Sequence, residues 1–340
     1  MTKHVDIRQA GRTLAVSEGV TILEATLADG IAYPHGCRSG RCGACKSHLF
    51  SGKVDLLEHS RFALSDEEKA QGLILACRAI PTTDAIVAWL DGDDETPSHP
   101  RRRLSCRVAA IADATHDIKR IQLVIEGADS LVFTVGQYAR LTFPGAPTRD
   151  YSVASIPGER ALKFHIRRVP GGAATQRIHT LIELGDSVLV EGPFGSSYLR
   201  ERHAEPILCV AGGSGLAPIK GIVDAKIAQC MKQPIHVYFG ARGQRDLYLV
   251  DHFVGLARRH TNLTFTPVLS DAPSAVYRRT GFVTDALAKD YQDFDGWQAY
   301  VAGSPPMVEA ATQICTARGI QCKDLYADVF FTLREAPALT

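Results

Sequence analysis

Cys37, Cys42 and Cys45 fall within the stretch HGCRSGRCGAC at the spacing C-x4-C-x2-C, and Cys77 follows further along the chain. This is the spacing of plant-type 2Fe-2S ligation, in which four thiolates are shared between two irons. Gly36, Gly40 and Gly43 let the backbone wrap closely and aim N–H groups at the sulfurs, which favours a reduced, more negative cluster. Arg38 and Arg41 add positive field. Zinc is the competing occupant, but it usually draws on pairs separated by two to four residues, and no second CxxC pair is present. Cys106, Cys209, Cys230, Cys315 and Cys322 share no spacing and read as packing residues.

Two glycine-rich stretches have the chemistry of anion sites. In His165-Ile166-Arg167-Arg168-Val169-Pro170-Gly171-Gly172-Ala173-Ala174-Thr175 a strand ends in a Gly-Gly turn and a helix opens at a hydroxyl residue, leaving free N–H groups for an anion. In Ala211-Gly212-Gly213-Ser214-Gly215-Leu216-Ala217-Pro218 the strand ILCV runs into a second helix start, where backbone amides and the helix dipole can hold another anion. This second loop is not the G-x-G-x-x-G dinucleotide fingerprint.

The elements that must carry these loops fall into three segments. Residues 1–92 form a small domain, with a hairpin turned at Gly11 and a helix entered through a capping box of Thr21 and Glu24. The cysteine loop follows, then a strand from Lys46 to Phe50 turned by Ser51-Gly52, and the apolar run LILACRAI. DGDDETPSHPRRR, from Asp91 to Arg103, carries no sizeable apolar side chain, so we place a linker at 93–103. Residues 104–203 are strand-rich, with RVAAIAD, IKRIQLVI, QYARLTF, YSVASI, LKFHIRRV and SVLVEG separated by Gly, Pro and Asp, the pattern of an antiparallel barrel or sandwich. From 204 to 340 apolar strands alternate with helical stretches, as in a doubly wound parallel sheet.

Composition limits the partners. With 38 Lys and Arg against 37 Asp and Glu, the formal charge is +1, so no global field favours nucleic acid or an anionic membrane. The N-terminal residues lack the apolar core of a signal peptide, and the most apolar window, Ile207 to Val223, is broken by glycines, a proline and Lys220. The expectation is a cytoplasmic protein whose nine cysteines stay reduced.

On these residues the N-terminal segment resembles a plant-type ferredoxin. The whole chain resembles the reductase components of bacterial aromatic-ring oxygenases, with ferredoxin first and a ferredoxin-NADP reductase-like pair of domains after it. The resemblance implies a β-grasp ferredoxin domain, an antiparallel β-barrel FAD domain and a doubly wound NAD domain. It makes Arg149-Asp150-Tyr151-Ser152 the flavin motif R-x-Y-S, in which a guanidinium grips phosphate, an aromatic ring stacks on the isoalloxazine and a hydroxyl reaches its N5 region. The anion at His165 to Thr175 is then the FAD pyrophosphate, involving His165, Ile166, Arg167, Val169, Gly171, Gly172, Ala174 and Thr175. Gly212, Gly213, Ser214, Gly215 and Pro218 match the family's G-G-x-G-x-x-P nucleotide loop, and Tyr238 to Arg242, with Asp246, stand where the adenosine half lies.

Arg242 reads either as a 2′-phosphate ligand for NADPH or as the arginine also found in NADH-using relatives, and we favour NADH. Gly303, Pro305 and Met307 match a C-G-x-P-x-M loop, but Ala302 stands where many relatives have a cysteine near the nicotinamide. Phe330 occupies the place of an aromatic against the flavin ring, which makes Tyr151, Ser152 and Phe330 the expected catalytic contacts.

The implied activity is electron transfer from NADH to FAD to the 2Fe-2S cluster, and on to a terminal oxygenase component or an intermediary ferredoxin. No H-x-x-x-H pair suggests an oxygenase iron site on this chain. Reductases of diiron monooxygenases or of deoxysugar dehydrases look alike, and a non-enzymatic iron–sulfur redox-sensing module is the alternative of another class. The expected outcome for Cys42→Ser is loss of cytochrome c reduction with NADH-dependent ferricyanide reduction retained, measured side by side. Equal loss of both activities would contradict the ordered path.

Overall fold

The computed structural model describes residues 2–31, 33–35, 38–40, 43–90, 95, 97, 99–271 and 279–331, without the Cys322 side chain. The chain divides into two compact units, one formed chiefly by residues 1–96 and the other by 97–193 and 197–335.

In the first unit β1 (Lys3–Ile7) and β2 (Arg12–Val16) form the expected antiparallel hairpin, turned at Gly11 with φ 58°. Then come α1 (Ile22–Ala28), β3 (Lys46–Ser51), β4 (Val54–Leu56), α2 (Asp66–Ala70), β5 (Leu73–Leu75), β6 (Ala79–Pro81) and β7 (Ala85–Trp89). The main sheet runs β2-β1-β7-β3-β5, with β1 and β7 parallel, and β4 pairs with β6 beside it. Helix α1 starts as its sequence requires: the Thr21 hydroxyl accepts from the Glu24 N–H while the Glu24 carboxylate accepts from the Thr21 N–H. Its apolar residues Ile22 and Leu23 join Val5, Ile7, Leu64, Leu75 and Val87 in one core, giving a β-grasp ferredoxin domain.

The second unit begins with β8 (Arg102–Asp113), β9 (Ile118–Ile125), β10 (Tyr138–Thr142), β11 (Arg149–Ser152), β12 (Leu162–Arg167), α3 (Ala173–Leu181) and β13 (Ser187–Phe194). The six strands pair in the order β11-β10-β13-β8-β9-β12, and an antiparallel bridge between Val153 and Phe164 joins the two ends into a nearly closed barrel. Leu104, Cys106 and Val108 alternate inward along β8, the period-two pattern of a sheet with one buried face.

The parallel sheet follows, built from β14 (Ile207–Gly212), α4 (Leu216–Ala228), β15 (Ile235–Ala241), α5 (Val250–Arg259), β16 (Leu263–Leu269), β17 (Arg279–Thr280), α6 (Val283–Asp290), β18 (Gln298–Gly303), α7 (Pro305–Ala317) and β19 (Leu325–Val329). Its order is β17-β16-β15-β14-β18-β19, so the direction of winding reverses between β14 and β18. Ligands of open α/β sheets bind outside the carboxyl ends of the strands at such a switch point. Barrel and sheet share a single apolar core that runs from Val188 and Phe164 to Val223 and Phe239.

Two sequence expectations are revised. The helix after the Gly-Gly turn opens at Ala173 with Gly172 as its N-cap, two residues before the hydroxyl of Thr175, because the turn itself supplies the extended cap conformation. Cys230 is exposed at the end of α4 with φ 55°, whereas Cys106, Cys209 and Cys315 are buried and burial pushes each thiol up to about 12. The tail segment LYADV is a parallel edge strand paired with β18. Because Phe164 is fully buried in the barrel core, Phe164→Ala is expected to cost about 3–5 kcal/mol. The check is a lower denaturant midpoint with an unchanged m-value.

Candidate functional site

In the ferredoxin domain Cys45 and Cys77 are 3% and 5% exposed, and the Ala76 N–H donates to the Cys45 carbonyl at 3.0 Å, which brings the two cysteine segments together. Cys37 and Cys42 lie outside the described residues. Around them the backbone turns sharply: Arg38, Gly40 and Gly43 have φ of 58°, 70° and 70°. A Cβ on Gly40 would lie 2.8 Å from the side chains of His59 and Arg78, so Gly40 is pressed against His59 and against the neighbour of Cys77. Soft thiolates on a glycine-turned loop fit an iron–sulfur cluster.

In the barrel, β11 carries the R-x-Y-S motif beside β10. The Tyr151 hydroxyl is buried without a hydrogen-bond partner, and burial raises its pKa. Buried hydroxyls rarely remain unpaired, so this one suits a polar atom of a bound flavin. Ser152 donates to Asp328 Oδ2 at 2.8 Å, which links the flavin strand to β19. Burial pushes the Asp328 carboxyl up to about 6, the hydrogen bond from Ser152 offsetting part of the effect. Arg149 is exposed, and half-buried Phe330 is tied to β18 by its N–H to the Gly303 carbonyl at 2.8 Å.

The remaining barrel residues divide. Gly171 has φ 75° and Gly172 caps α3 without a side-chain hydrogen bond, leaving that helix start for an anion. The Thr175 hydroxyl accepts from the Val169 N–H at 3.0 Å and so braces the turn, while Ala174 is buried. Ile166 is fully buried in the barrel core. His165 packs edge-on against Tyr248, with Nδ1 3.1 Å from its hydroxyl, and burial holds the imidazole at about 3, so it stays neutral. Tyr248 in turn donates to the Gly213 carbonyl at 3.4 Å. Arg167 reaches from the end of β12 to the nucleotide loop: a Cβ on Gly213 would sit 3.1 Å from its guanidinium.

At the switch point a cavity of about 480 Å³ is lined by Gly212, Gly213, Arg167, Arg242, Ser304 and Met307, among others. A Cβ on Gly215 would lie 2.1 Å from the Ala302 carbonyl, and one on Gly212 would lie 2.6 Å from the Met307 sulfur. Only glycine lets the phosphate-type loop back onto β18 so closely. Ser214 belongs to the same short turn, Pro218 is buried in the first turn of α4, and Pro305 opens α7. Arg242 pairs with Asp246 at 2.8 Å and with Asp117 at 3.5 Å, and Asp117 also accepts from Arg167 Nε at 2.8 Å.

Sequence reasoning missed Asp328, Asp117 and Tyr248. Asp328 left a faint signal, a lone acid within the otherwise apolar YADVFF, whereas Asp117 and Tyr248 gain their roles through partners 50 and 83 residues away.

A thiol-lined ferredoxin domain, a flavin barrel and a nucleotide sheet in one chain define an electron-transferring flavoprotein reductase. Three family models match in that order: a 2Fe-2S iron-sulfur cluster binding domain over residues 5–82, an oxidoreductase FAD-binding domain over 105–198 and an oxidoreductase NAD-binding domain over 209–313. The chain is 36% identical over 327 residues to the ferredoxin–NAD(P)+ reductase component of the naphthalene 1,2-dioxygenase system of Pseudomonas putida, covering 96% of this chain and 98% of that one. It is 37% identical over 326 residues to the reductase subunit of an aromatic O-demethylase of Amycolatopsis, covering 94% and 96%. The crystal structure of an Amycolatopsis cytochrome P450 reductase superposes with a TM-score of 0.75 at 36% identity, covering 97% and 99%. The chain belongs to the family of reductase components of bacterial oxygenase systems.

Asp328 yields a pH test. Its folded pKa of about 6 lies above the ordinary aspartate value of 3.8, so from about pH 4 to 6 the folded state holds a proton that the unfolded state has lost. Stability therefore falls as pH rises through that window, and the full penalty stands above it. Asp328→Asn is expected to melt at a higher temperature than wild type at pH 8, with the gap closing by pH 4. A gap independent of pH would show that Asp328 does not titrate there.

Proposed function

We propose that this chain carries electrons from NADH through FAD to its 2Fe-2S cluster. From there they pass to the oxygenase component, or an intermediary ferredoxin, of an aromatic-ring-hydroxylating dioxygenase system. When bound, the flavin would accept two electrons from the nicotinamide and release them singly to the cluster, the two-to-one conversion that the pair of cofactors requires. The protein's own residues position rather than donate or remove protons. Tyr151 and Ser152 would hold the ring side, Gly171, Gly172 and the start of α3 would hold the pyrophosphate, and Gly212 to Gly215 would hold the dinucleotide.

The observation that carries this reading is the convergence of the flavin strand and the nucleotide loop. His165 on β12 and Gly213 after β14 meet the same Tyr248 hydroxyl, at 3.1 and 3.4 Å. Support for NADH over NADPH comes from Arg242. Its guanidinium already pairs with Asp246, and a 2′-phosphate would have to displace that carboxylate, whereas a ribose hydroxyl can donate to it. The relatives' oxygenase systems support the acceptor, and an aromatic-ring dioxygenase fits the naphthalene 1,2-dioxygenase reductase among them. The reading places the chain in the cytoplasm, where NADH is supplied and thiols stay reduced. No helix among the described residues is long and apolar enough to cross a membrane.

The test is steady-state cytochrome c reduction by the cofactor-loaded protein. NADH is expected to exceed NADPH in kcat/KM by about tenfold or more. Turnover reconstituted with aromatic-ring dioxygenase components is expected, and support of a diiron monooxygenase alone would redirect the acceptor assignment.

A further inference from the structure

Asp117 sits in the turn between β8 and β9, on the flavin barrel, yet it lines the nucleotide cavity. It is only 8% exposed. Its own turn holds it in place: the Thr115 hydroxyl donates to Oδ1 at 2.9 Å, and its main-chain carbonyl accepts from the Arg168 N–H at 2.7 Å. The other oxygen, Oδ2, meets two guanidinium groups from different halves of the unit, Arg167 Nε of the barrel at 2.8 Å and Arg242 Nη2 of the nucleotide sheet at 3.5 Å.

Arg242 thus lies between two carboxylates. Asp246 holds it from the nucleotide side and is itself fixed by accepting from the Gly243 N–H at 2.9 Å, while Asp117 faces it from the flavin side. His116, Asp117 and Asp246 are close enough to suggest a cation site, but the two guanidiniums already supply the positive charge. The four ionised groups Arg167, Arg242, Asp117 and Asp246 sum to zero. A cavity wall of this kind offers no surplus cation to a phosphate dianion, although it contains two arginines.

We propose that Asp117 is a specificity-determining residue: from the flavin barrel it neutralises Arg242 and Arg167 and so excludes coenzymes with a 2′-phosphate. The inference rests on the NADH reading above and locates its cause partly outside the nucleotide-binding half. Asp246 alone leaves one guanidinium facing one carboxylate. Asp117 adds the second negative charge and draws Arg167 into the same network. A 2′-hydroxyl meets hydrogen-bond acceptors there, whereas a 2′-phosphate meets like charge.

The experiment measures kcat/KM for NADH and NADPH on FAD-loaded full-length wild type, Asp117→Asn, and Asp117→Asn combined with Arg242→Ala. Asn keeps the size of the side chain and one oxygen for Arg167, while its amide N–H can donate to the Thr115 hydroxyl. Asp117→Ser serves in its place if the Asn variant fails to retain FAD. Asp117→Asn is expected to raise the NADPH to NADH ratio about tenfold, through a lower KM for NADPH. The added Arg242→Ala is expected to remove that gain, because with Asp117 neutral two guanidiniums face the single carboxylate of Asp246, and losing Arg242 removes the surplus positive charge that would meet the phosphate. Competition by 2′,5′-ADP against 5′-AMP should shift in the same direction. An unchanged ratio overturns the proposal, as does an equal loss toward both coenzymes, which would make Asp117 a brace only. Wild type that prefers NADPH would overturn the NADH reading itself, and the wild-type ratio reports that separately from the effect of the variant.

Discussion

The hydrogen bond from Ser152 to Asp328 joins residues 176 positions apart and ties the flavin strand of the barrel to the last strand of the parallel sheet. The other cross-connections follow the same seam. His165 meets Tyr248 next to it, and Asp117 meets Arg242 at the rim of the cavity. Each pairs a barrel residue with a sheet residue, and beneath them the two halves share one apolar core. A seam that is dry below and hydrogen-bonded above resists sliding, which suits a protein whose task is to keep a flavin and a nicotinamide in register.

The same seam explains why the charged residues are arranged as they are. Asp117 is ionised despite its burial: desolvation acts to raise its pKa, but the hydrogen bond and charge of Arg167 outweigh that and hold it below the usual carboxylate range. At Asp328 desolvation prevails, with no cation among the described residues to offset it, and the carboxyl shifts upward instead. Two carboxylates in one unit thus move in opposite directions because a guanidinium outweighs desolvation at Asp117, whereas at Asp328 the Ser152 hydroxyl offsets only part of it. The balanced charge of the whole chain says nothing of this, since both effects arise within a few ångströms.

The ferredoxin domain shows a different economy of design. Its core is formed from its own sheet and α1, and its thiol loop obtains its shape from left-handed backbone at Arg38, Gly40 and Gly43. For Gly40, close packing against His59 and Arg78 leaves no room for a side chain. Local conformation and local packing therefore act together within a few residues, and for that reason the thiol spacing alone was a readable signal.

What the sequence by itself determined was everything written in short range: the cysteine spacing, the Thr21–Glu24 cap, the alternating barrel strands, the apolar runs of β14 and β18 and the glycines of the nucleotide loop. Those features depend on periodicity, turn chemistry and capping, which act over a few residues and leave a pattern in the chain. Only the tertiary structure decided that Arg167 reaches the nucleotide loop, that Thr175 braces its own loop, and that Asp117, Tyr248 and Asp328 bond to residues of the two loops and the flavin strand. The direction of a side chain across a seam is set by the closing of the barrel on the sheet, and partners brought together from 50 to 176 residues away have no local pattern to announce them.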